Sequence, residues 1–214
     1  MMAIISDPVL HGYFRSTATY RVRIALNLKG VSYTDTFHDL RAGEQRSADY
    51  LALNPQGLIP ALEIDGAVLT QSLAICEYLD ETVAGFRLLP DDPLRRAQIR
   101  AAAQVIACDT HPVQNLKILQ RLRGLGLAEA QVTQWARQAI DEGLDAFDRL
   151  IAQQDGRYCF GDRVTLADIF LVPQLFNARR FGVDLRWPRL MAVEKVCQAM
   201  DAFRRAAPEH QADA

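Results

Sequence analysis

The sequence predicts two domains, an α/β domain followed by an all-α domain. Strand-like and helix-like segments alternate along residues 1–81, and an Asp65-Gly66 pair between two short β-favouring segments predicts a hairpin there. Residues 93–214 instead carry amphipathic helical patterns without a pair of strands. Residues 82–92 have the Gly and Pro content of a linker. With 214 residues, the chain is long enough for two small domains.

The composition and charge exclude several classes of protein. Half of the residues are hydrophobic and 23% are charged, which is typical of a packed globular chain rather than a disordered one. A net charge of −2 lacks the basic excess of a nucleic-acid-binding domain, and no stretch approaches the roughly 20 apolar residues of a membrane span. Met1–Leu10 does not have the pattern of a signal peptide, so we expect a cytoplasmic protein.

A βαβ unit is predicted near the N-terminus. A short apolar run ends at Tyr13-Phe14, and Ser16 and Thr17 are then suitable N-caps for a helix over residues 20–28. Val31–Phe37 alternates with β-favouring residues and predicts the next strand.

The rest of the first domain follows the same alternation. The predicted elements are a helix over Ser47–Leu53, strands over Ala61–Ile64 and Ala67–Thr70, and a helix over Leu73–Asp80 opened by Gln71-Ser72. The resulting order, β-α-β-α-β-β-α, is typical of a thioredoxin-like domain.

Three or four helices are predicted in the second domain. They are Pro93–Arg123, Ala128–Gln153, Leu166–Phe181 and Leu190–Arg205. Pro112 should kink the first of them, and Thr165 and Asp168 have the spacing of a capping box at the third. We expect the tail, Pro208–Ala214, to be loose.

The cysteines do not suggest a metal site or a disulfide framework. They are widely spaced and lie among apolar neighbours at Cys76, Cys108, Cys159 and Cys197. We therefore expect buried, unreactive thiols and no bound metal.

Three local features of the first domain could contribute to a binding site. Ser16 and Thr17 combine hydroxyls with the partial positive charge of a helix N-terminus, which would favour the ionised form of a bound thiol. Gln71-Ser72 offers a similar helix start. Each of these could equally be a simple helix cap. If the bond between Ile59 and Pro60 is cis, it would expose the Ile59 backbone to an extended ligand.

One run of sequence carries a family resemblance. The run reads Ser16-Thr17-Ala18-Thr19-Tyr20-Arg21-Val22-Arg23-Ile24-Ala25-Leu26. It resembles the motif Ser-Ser-Cys-x-Trp-Arg-Val-Arg-Ile-Ala-Leu of the zeta-class glutathione transferases, which include the maleylacetoacetate and maleylpyruvate isomerases. Further matching stretches are Leu53–Pro60, Gln71–Ile75, Asn115-Leu116, Leu171–Gln174 and Arg180-Phe181. The resemblance implies a glutathione-transferase fold, with a thioredoxin-like N-terminal domain and a helical C-terminal domain.

The resemblance also implies roles for individual residues. Ser16 would support the glutathione thiolate as the catalytic hydroxyl, and Thr17 stands where the family has its second serine. The implied glutathione contacts are Gln45 at the glycyl end, Ile59 and a cis Pro60 at the cysteinyl part, Gln71 and Ser72 at the γ-glutamyl carboxylate, and His111 and Asn115 from the helical domain. Arg15 and Arg180 match arginines that hold substrate carboxylates. Without the resemblance, both would be interpreted as surface arginines.

The implied reaction is the glutathione-dependent conversion of maleylacetoacetate to fumarylacetoacetate in the degradation of an aromatic compound. Rotation about a carbon–carbon double bond requires a drop in bond order, which reversible addition of the glutathione thiolate would provide. The alternatives are a maleylpyruvate isomerase, a general glutathione S-transferase or dehalogenase, and a glutathione-binding interaction protein without turnover. The resemblance further implies a homodimer, with glutathione and a small dicarboxylic keto acid as ligands.

Two positions depart from the family pattern. Ala18 stands where the family usually has cysteine, which removes any thiol chemistry at that point. His111 stands where many relatives have glutamine. It could hydrogen-bond glutathione, act as an acid or base near neutral pH, or be a helix histidine with a structural partner.

Overall fold

The computed structural model describes residues 7–214, which form two compact units. The first unit contains residues 7–88 together with Gln198–Ala214, and the second contains Leu89–Cys197. The expectation that the chain has no signal peptide rests on Met1–Leu10. Of that segment, Met1–Ser6 lies outside the described residues.

A four-stranded mixed sheet forms the centre of the first unit. The strands are β1 Val9–Gly12, β2 Thr34–Phe37, β3 Ala61–Ile64 and β4 Ala67–Thr70, in the spatial order β2-β1-β3-β4. β1 is parallel to β2 and antiparallel to β3, and β3 is antiparallel to β4. Asp65 and Gly66 join β3 to β4 with φ angles of 52° and 76°, so both turn residues are left-handed, as a tight two-residue hairpin requires.

Three helices follow the strands of this unit in the predicted order. They are α1 Thr17–Lys29, α2 Ala48–Leu53 and α3 Ser72–Thr82. α1 begins three residues before the predicted start because Ser16 is its N-cap, and the Ser16 Oγ accepts a hydrogen bond from the Thr19 amide. Gly30 ends the helix in the left-handed conformation, with φ of 67°.

The second unit is helical. Its helices are α4 Pro93–Gln104, α5 Leu116–Gly124, α6 Glu129–Ile151, α7 Leu166–Phe181 and α8 Pro188–Gln198. α8 ends at the border between the units. No helix within residues 7–214 is long and apolar enough to cross a lipid bilayer.

The prediction of one kinked helix over Pro93–Arg123 is wrong. After α4 the chain forms a π-helical segment over Val105–Thr110 and a 3₁₀ turn over Pro112–Gln114, and α5 is a separate helix. Pro112 has no amide hydrogen to continue the ladder. Asn115 then adopts an extended conformation and starts α5, because its Oδ1 accepts a hydrogen bond of 3.1 Å from the Ile118 amide.

The predicted helix over Leu190–Arg205 is also two helices, because Met200 is extended and separates α8 from α9, Asp201–Ala206. α9 packs on α1 in the first unit. Asn27 Nδ2 donates to the Ala202 carbonyl at 3.0 Å, and the Tyr20 hydroxyl donates to the Phe203 carbonyl at 3.4 Å. These contacts explain why Gln198–Ala214 belongs to the first unit, whereas the expected helical domain ran to residue 214.

The expectation of a loose tail is wrong. Pro208–His210 forms a 3₁₀ turn, and the Asp213 Oδ2 accepts a hydrogen bond of 2.8 Å from the Phe14 amide. The final residues are therefore anchored to the loop that follows β1.

Three of the four cysteines are buried as expected. Cys76, Cys159 and Cys197 are 0% exposed, and burial raises the pKa of the Cys76 thiol to about 12. Cys108 is exposed, so the expectation of burial is wrong there, because the residue lies on the outer side of the π-helical segment.

A buried capping box begins α7. Asp168 is 0% exposed, and its carboxylate accepts hydrogen bonds from the Cys159 amide at 2.8 Å, the Thr165 amide at 2.7 Å and the Thr165 hydroxyl at 2.9 Å. Burial raises the pKa of Asp168, and these hydrogen bonds oppose the rise. One side chain thus satisfies three donors where the most buried helix of the unit begins.

We expect Asp168→Ala to lower the free energy of unfolding by about 3 kcal/mol, because it leaves buried donors without an acceptor. Urea denaturation measures the change. Asp155→Ala, which removes an exposed carboxylate nearby, is the control and should change stability by less than about 0.5 kcal/mol. Equal stability of the two variants would contradict this account of the capping box.

Candidate active site

The sheet brings four chain segments to one of its ends. The loop after β1, Tyr13–Ser16, and the loop after β2, His38–Ser47, leave at the same end because these strands are parallel. Ile59-Pro60 enters β3 there and Gln71-Ser72 leaves β4 there, because β3 is antiparallel to β1 and β4 is antiparallel to β3. Most of the predicted site residues of the first unit therefore share one edge.

Ser16 and Thr17 present their hydroxyls differently at the start of α1. Ser16 is half-buried, and its Oγ accepts a hydrogen bond of 3.1 Å from the Thr19 amide. The hydroxyl hydrogen can therefore be donated to a ligand. Thr17 is 3% exposed, and its Oγ1 is buried without a hydrogen-bond partner among the described residues. Ser16 is the more accessible donor at this helix N-terminus.

The peptide bond between Ile59 and Pro60 is cis, as expected. The preceding carbonyl, that of Leu58, is held by the Tyr50 hydroxyl at 2.8 Å and by Asn54 Nδ2 at 2.6 Å. The amide and carbonyl of Ile59 form no backbone hydrogen bond within residues 7–214. Ile59 is half-buried, so it offers one donor and one acceptor to an extended peptide.

Gln71 and Ser72 form the start of α3. Gln71 has a φ of 67°, a left-handed conformation that is strained for a residue other than glycine and is common at functional sites. Its Nε2 donates to Gln56 Oε1 at 2.8 Å. Ser72 is buried, and Arg21 Nη1 donates to its Oγ at 3.2 Å. The helix amides and the Arg21 guanidinium together give this position the electrostatics of a carboxylate site.

Gln45 lies in the loop after β2, in a 3₁₀ turn over Glu44–Arg46. The side chain is 7% exposed, and its Oε1 is buried without a hydrogen-bond partner among the described residues. The Gln45 carbonyl lies close to Gly57, where a Cβ atom would stand 3.1 Å from the carbonyl oxygen. The Gln45 backbone is therefore near the segment that leads to Ile59. Its buried, unsatisfied Oε1 is a candidate acceptor for a hydrogen bond from a bound peptide.

Two arginines converge on Tyr13, and the sequence analysis identified only one of them. The Tyr13 hydroxyl oxygen accepts from Arg15 Nη2 at 3.4 Å and from Arg41 Nε at 3.2 Å. Neither arginine forms an ion pair with a residue in the described part of the chain. Arg15 Nε is buried and has no hydrogen-bond partner there. Two positive charges held together without an acid favour an anionic ligand one residue from Ser16.

The sequence signal for Arg41 was weak. The residue lies in the loop after β2, which only the parallel pairing of β1 with β2 brings beside Tyr13. The predicted βαβ unit implied that its two strands are parallel, so that the loops after them lie at the same end of the sheet. A search of the second loop for basic residues could therefore have found Arg41.

The remaining predicted site residues lie in the second unit, and hydrogen bonds connect some of them. Arg180 is exposed on α7, and its Nη1 donates to Asn177 Oδ1 at 3.0 Å. Asn177 Nδ2 donates to Gln114 Oε1 at 2.9 Å, next to Asn115. His111 is half-buried where the π-helical segment ends. Hydrogen bonds thus join Arg180, Asn177 and Gln114, and sequence reasoning missed this connection because Gln114 and Asn177 are far apart in the chain.

Comparison with protein families matches both units. Residues 15–82 match the glutathione S-transferase N-terminal domain, and residues 96–195 match the glutathione S-transferase C-terminal domain. The chain belongs to the glutathione S-transferase family. The thioredoxin-like and helical domains inferred from the sequence are therefore confirmed as those of this fold.

Near full-length relatives place this transferase in the zeta class. Maleylacetoacetate isomerase of Rhizobium meliloti is 49% identical, over 95% of this chain and 97% of the relative. The holo structure of a maleyl pyruvate isomerase, a bacterial glutathione S-transferase in the zeta class, has a TM-score of 0.94 and 46% identity, and the match covers 96% of this chain and 99% of that one.

Two further solved relatives contain ligands. A maleylacetoacetate isomerase from Methylobacterium extorquens AM1 with bound malonate and GSH has a TM-score of 0.93 and 42% identity, with 96% of this chain and 99% of that chain covered. A maleylacetoacetate isomerase from Anaeromyxobacter dehalogenans 2CP-1, with bound dicarboxyethyl glutathione and citrate, has a TM-score of 0.89 and 40% identity, covering 99% and 95%.

The polar groups of this transferase fit glutathione. Glutathione is a peptide with a thiol and two carboxylates. The first unit offers the unpaired Ile59 backbone, the unsatisfied Gln45 Oε1 and a hydroxyl with a nearby guanidinium at Ser72. No cluster of three or more His, Cys, Asp or Glu side chains within residues 7–214 could hold a metal ion.

Proposed function

We propose that this chain is a glutathione-dependent cis–trans isomerase that converts maleylacetoacetate to fumarylacetoacetate in the degradation of an aromatic compound. The observation that carries the proposal is the cluster of Tyr13, Arg15 and Arg41, in which neither guanidinium forms an ion pair with an acidic side chain of residues 7–214. Arg15 directly precedes Ser16 in the chain. The cluster suits a dicarboxylate held beside a thiolate. The near full-length similarity to maleylacetoacetate isomerase supports the same reaction.

When bound, glutathione supplies a thiolate that adds reversibly to the substrate's double bond and so permits rotation about it. The chain's own groups keep the sulfur ionised. The Ser16 hydroxyl donates a hydrogen bond to it, and the N-terminal amides of α1 contribute partial positive charge, so the thiol pKa falls below its usual value near 8.5. Thr17 lies one residue further on, and its buried hydroxyl is proposed as a second group near the sulfur.

Backbone and side-chain groups of the first unit orient glutathione. The Ile59 amide and carbonyl, which precede cis Pro60, would hydrogen-bond to its cysteinyl part. Gln71 and Ser72 hold the γ-glutamyl carboxylate at the start of α3, and Gln45 accepts a hydrogen bond at the glycyl end. These contacts fix the sulfur at one position relative to Ser16.

Positive charge holds the substrate and stabilises the negative charge that develops on its oxygens during addition. Arg15 and Arg41 supply this charge from the first unit, where the Tyr13 hydroxyl orients both guanidinium groups. Arg180 is proposed as a further carboxylate contact from the second unit. His111 and Asn115 are proposed as glutathione contacts from that unit.

A second candidate is a maleylpyruvate isomerase of the gentisate pathway. The similarity to the holo maleyl pyruvate isomerase structure, with 46% identity, favours this possibility. The two substrates have the same maleyl end and differ beyond it, so the arginine cluster suits both. A general glutathione S-transferase or dehalogenase would consume glutathione, and a non-catalytic interaction protein would only bind it.

Proton NMR tests the function directly. Maleylacetoacetate and maleylpyruvate are each incubated with the protein, with and without a catalytic amount of glutathione. We expect conversion of maleylacetoacetate to the trans acid, with the glutathione signal undiminished. Faster conversion of maleylpyruvate would favour the second candidate, and loss of glutathione would favour a conventional transferase. Binding of glutathione without conversion of either acid would overturn the isomerase proposal.

We also propose that the isomerase acts as a homodimer in the cytoplasm, as the family resemblance implies. Light scattering at micromolar concentration distinguishes a dimer from a monomer of 24.0 kDa.

Removing the Ser16 hydroxyl should weaken thiolate support. We expect Ser16→Ala to lower kcat roughly a hundredfold, because the variant loses a hydrogen bond to an ion in a partly buried site. Thr17→Val, which keeps the side chain's shape, should lower kcat less than fivefold because its hydroxyl is buried. Steady-state kinetics measures both variants. Wild-type turnover in a combined Ser16→Ala and Thr17→Val variant would show that neither hydroxyl supports the thiolate.

Neutralising Arg41 should weaken binding of the dicarboxylate but not of glutathione. We expect Arg41→Gln to raise the KM of the keto acid about tenfold, a typical loss for one charge-assisted hydrogen bond, with the KM of glutathione unchanged. Arg46→Gln, which alters an exposed arginine of the same loop, is the matched control. A selective rise in the KM of glutathione would instead assign Arg41 to the peptide.

A further inference from the structure

Both backbone groups of Phe14, in the loop before Ser16, are held by distant parts of the first unit. The Phe14 amide donates to Asp213 Oδ2 at 2.8 Å, and the Phe14 carbonyl accepts from Arg23 Nη2 at 2.9 Å. Among residues 7–214, one further backbone hydrogen bond lies within the turn Tyr13–Ser16, from the Ser16 amide to the Tyr13 carbonyl at 3.0 Å. The peptide groups on either side of Phe14 are therefore fixed by two charged side chains rather than by regular secondary structure.

Arg23 is itself anchored to the C-terminal segment. The side chain is 0% exposed, and its Nε donates to the Ala206 carbonyl at 3.0 Å. One guanidinium thus joins the end of α9 to the loop before Ser16. Burial lowers the pKa of Arg23, and the neighbouring Tyr33, Asp35 and Asp213 oppose the fall. The carboxylates of Asp35 and Asp213 thus offset part of the desolvation of the guanidinium in the protein interior.

Asp213 holds the amide of Phe14, whereas Arg23 holds its carbonyl. The Asp213 Oδ1 is buried and has no hydrogen-bond partner among the described residues, so Oδ2 and the Phe14 amide form the carboxylate's one hydrogen bond there. The Asp213 carboxylate also interacts electrostatically with the Arg23 guanidinium and opposes the fall in the Arg23 pKa. Asp213 and Arg23 together hold both backbone groups of Phe14, which directly precedes Arg15 and Ser16 in the chain.

We propose that the segment Ala206–Asp213 is a latch that sets the conformation of the loop Tyr13–Ser16, with Asp213 and Arg23 as positioning residues for the Ser16 hydroxyl. This inference rests on the proposed function, because it assigns the latch to the same thiolate site. Neither residue needs to touch glutathione or the keto acid. Their effect is on where Arg15 and Ser16 stand relative to the first turn of α1.

The experiment compares three variants of the full chain. Asp213→Ala removes the acceptor, and Asp213→Asn keeps an acceptor oxygen for the Phe14 amide but removes the charge opposite Arg23. Glu209→Ala removes an exposed carboxylate of the same segment and is the control. Each variant is assessed by Tm, by hydrogen–deuterium exchange of the peptide that contains Phe14, by steady-state kinetics, and by titration of the glutathione thiolate absorbance in the binary complex.

We expect Asp213→Ala to increase exchange at Phe14 and to lower kcat roughly ten- to hundredfold, because a displacement of about 1 Å is enough for such a loss. The thiol pKa of bound glutathione should rise by about one unit toward its free value. Asp213→Asn should give intermediate changes, and Glu209→Ala should match the wild type in every measurement. If the substitutions only lowered the overall stability, the thiol pKa would not rise in steps from the wild type through Asp213→Asn to Asp213→Ala.

The latch proposal is contradicted if Asp213→Ala keeps the wild-type thiol pKa and kcat. It is equally wrong if activity falls only as far as the lowered Tm explains, with the thiol pKa unchanged. Failure of the proposed function gives a different result, since the wild type would then not isomerise either keto acid. The exchange at Phe14 and the thiol titration would still test the latch in that case.

Discussion

The antiparallel pairing of β1 with β3 is the constraint on which the candidate site depends. With His11 opposite Ala61, the loop that follows β1 lies at the sheet end where the chain enters β3 through cis Pro60. Gly12 allows β1 to approach the first turn of α1, since a Cβ there would stand 2.4 Å from Thr19 Cγ2. Backbone pairing therefore brings the hydroxyl donor and the unpaired Ile59 backbone to the same end of the sheet.

Two buried arginines of α1 connect this end of the sheet to other segments of the first unit. Arg21 and Arg23 are two positions apart on α1, so they point to different sides of the helix. Arg21 donates to Ser72 at the start of α3, whereas Arg23 holds the Phe14 and Ala206 carbonyls. The Arg-Val-Arg run that carried the family resemblance is thus explained physically. Each arginine supports a different segment of the candidate site, Arg21 the start of α3 and Arg23 the loop before Ser16.

The sequence predicted features that depend on local chemistry. The Asp65-Gly66 turn, the Ser16 cap and the Asp168 capping box each involve residues within a few positions, and all three form as expected. The pattern could not show that Pro112 ends a helix rather than kinking it, because Asn115 had first to start a new one. Arg41 depends on long-range pairing that composition does not encode. The roles of the site residues stay predictions.

The anchoring of the chain's last residues to the loop after β1 has a consequence for the order of assembly during translation. Phe14 and Asp213 are 199 positions apart, and the whole helical unit is synthesised between them. Domains generally fold in the order in which they leave the ribosome. Here the sheet of the first unit can form early, but α9 and the tail are added to it only after the second unit has been made. The domain that emerges first is therefore the last to be completed.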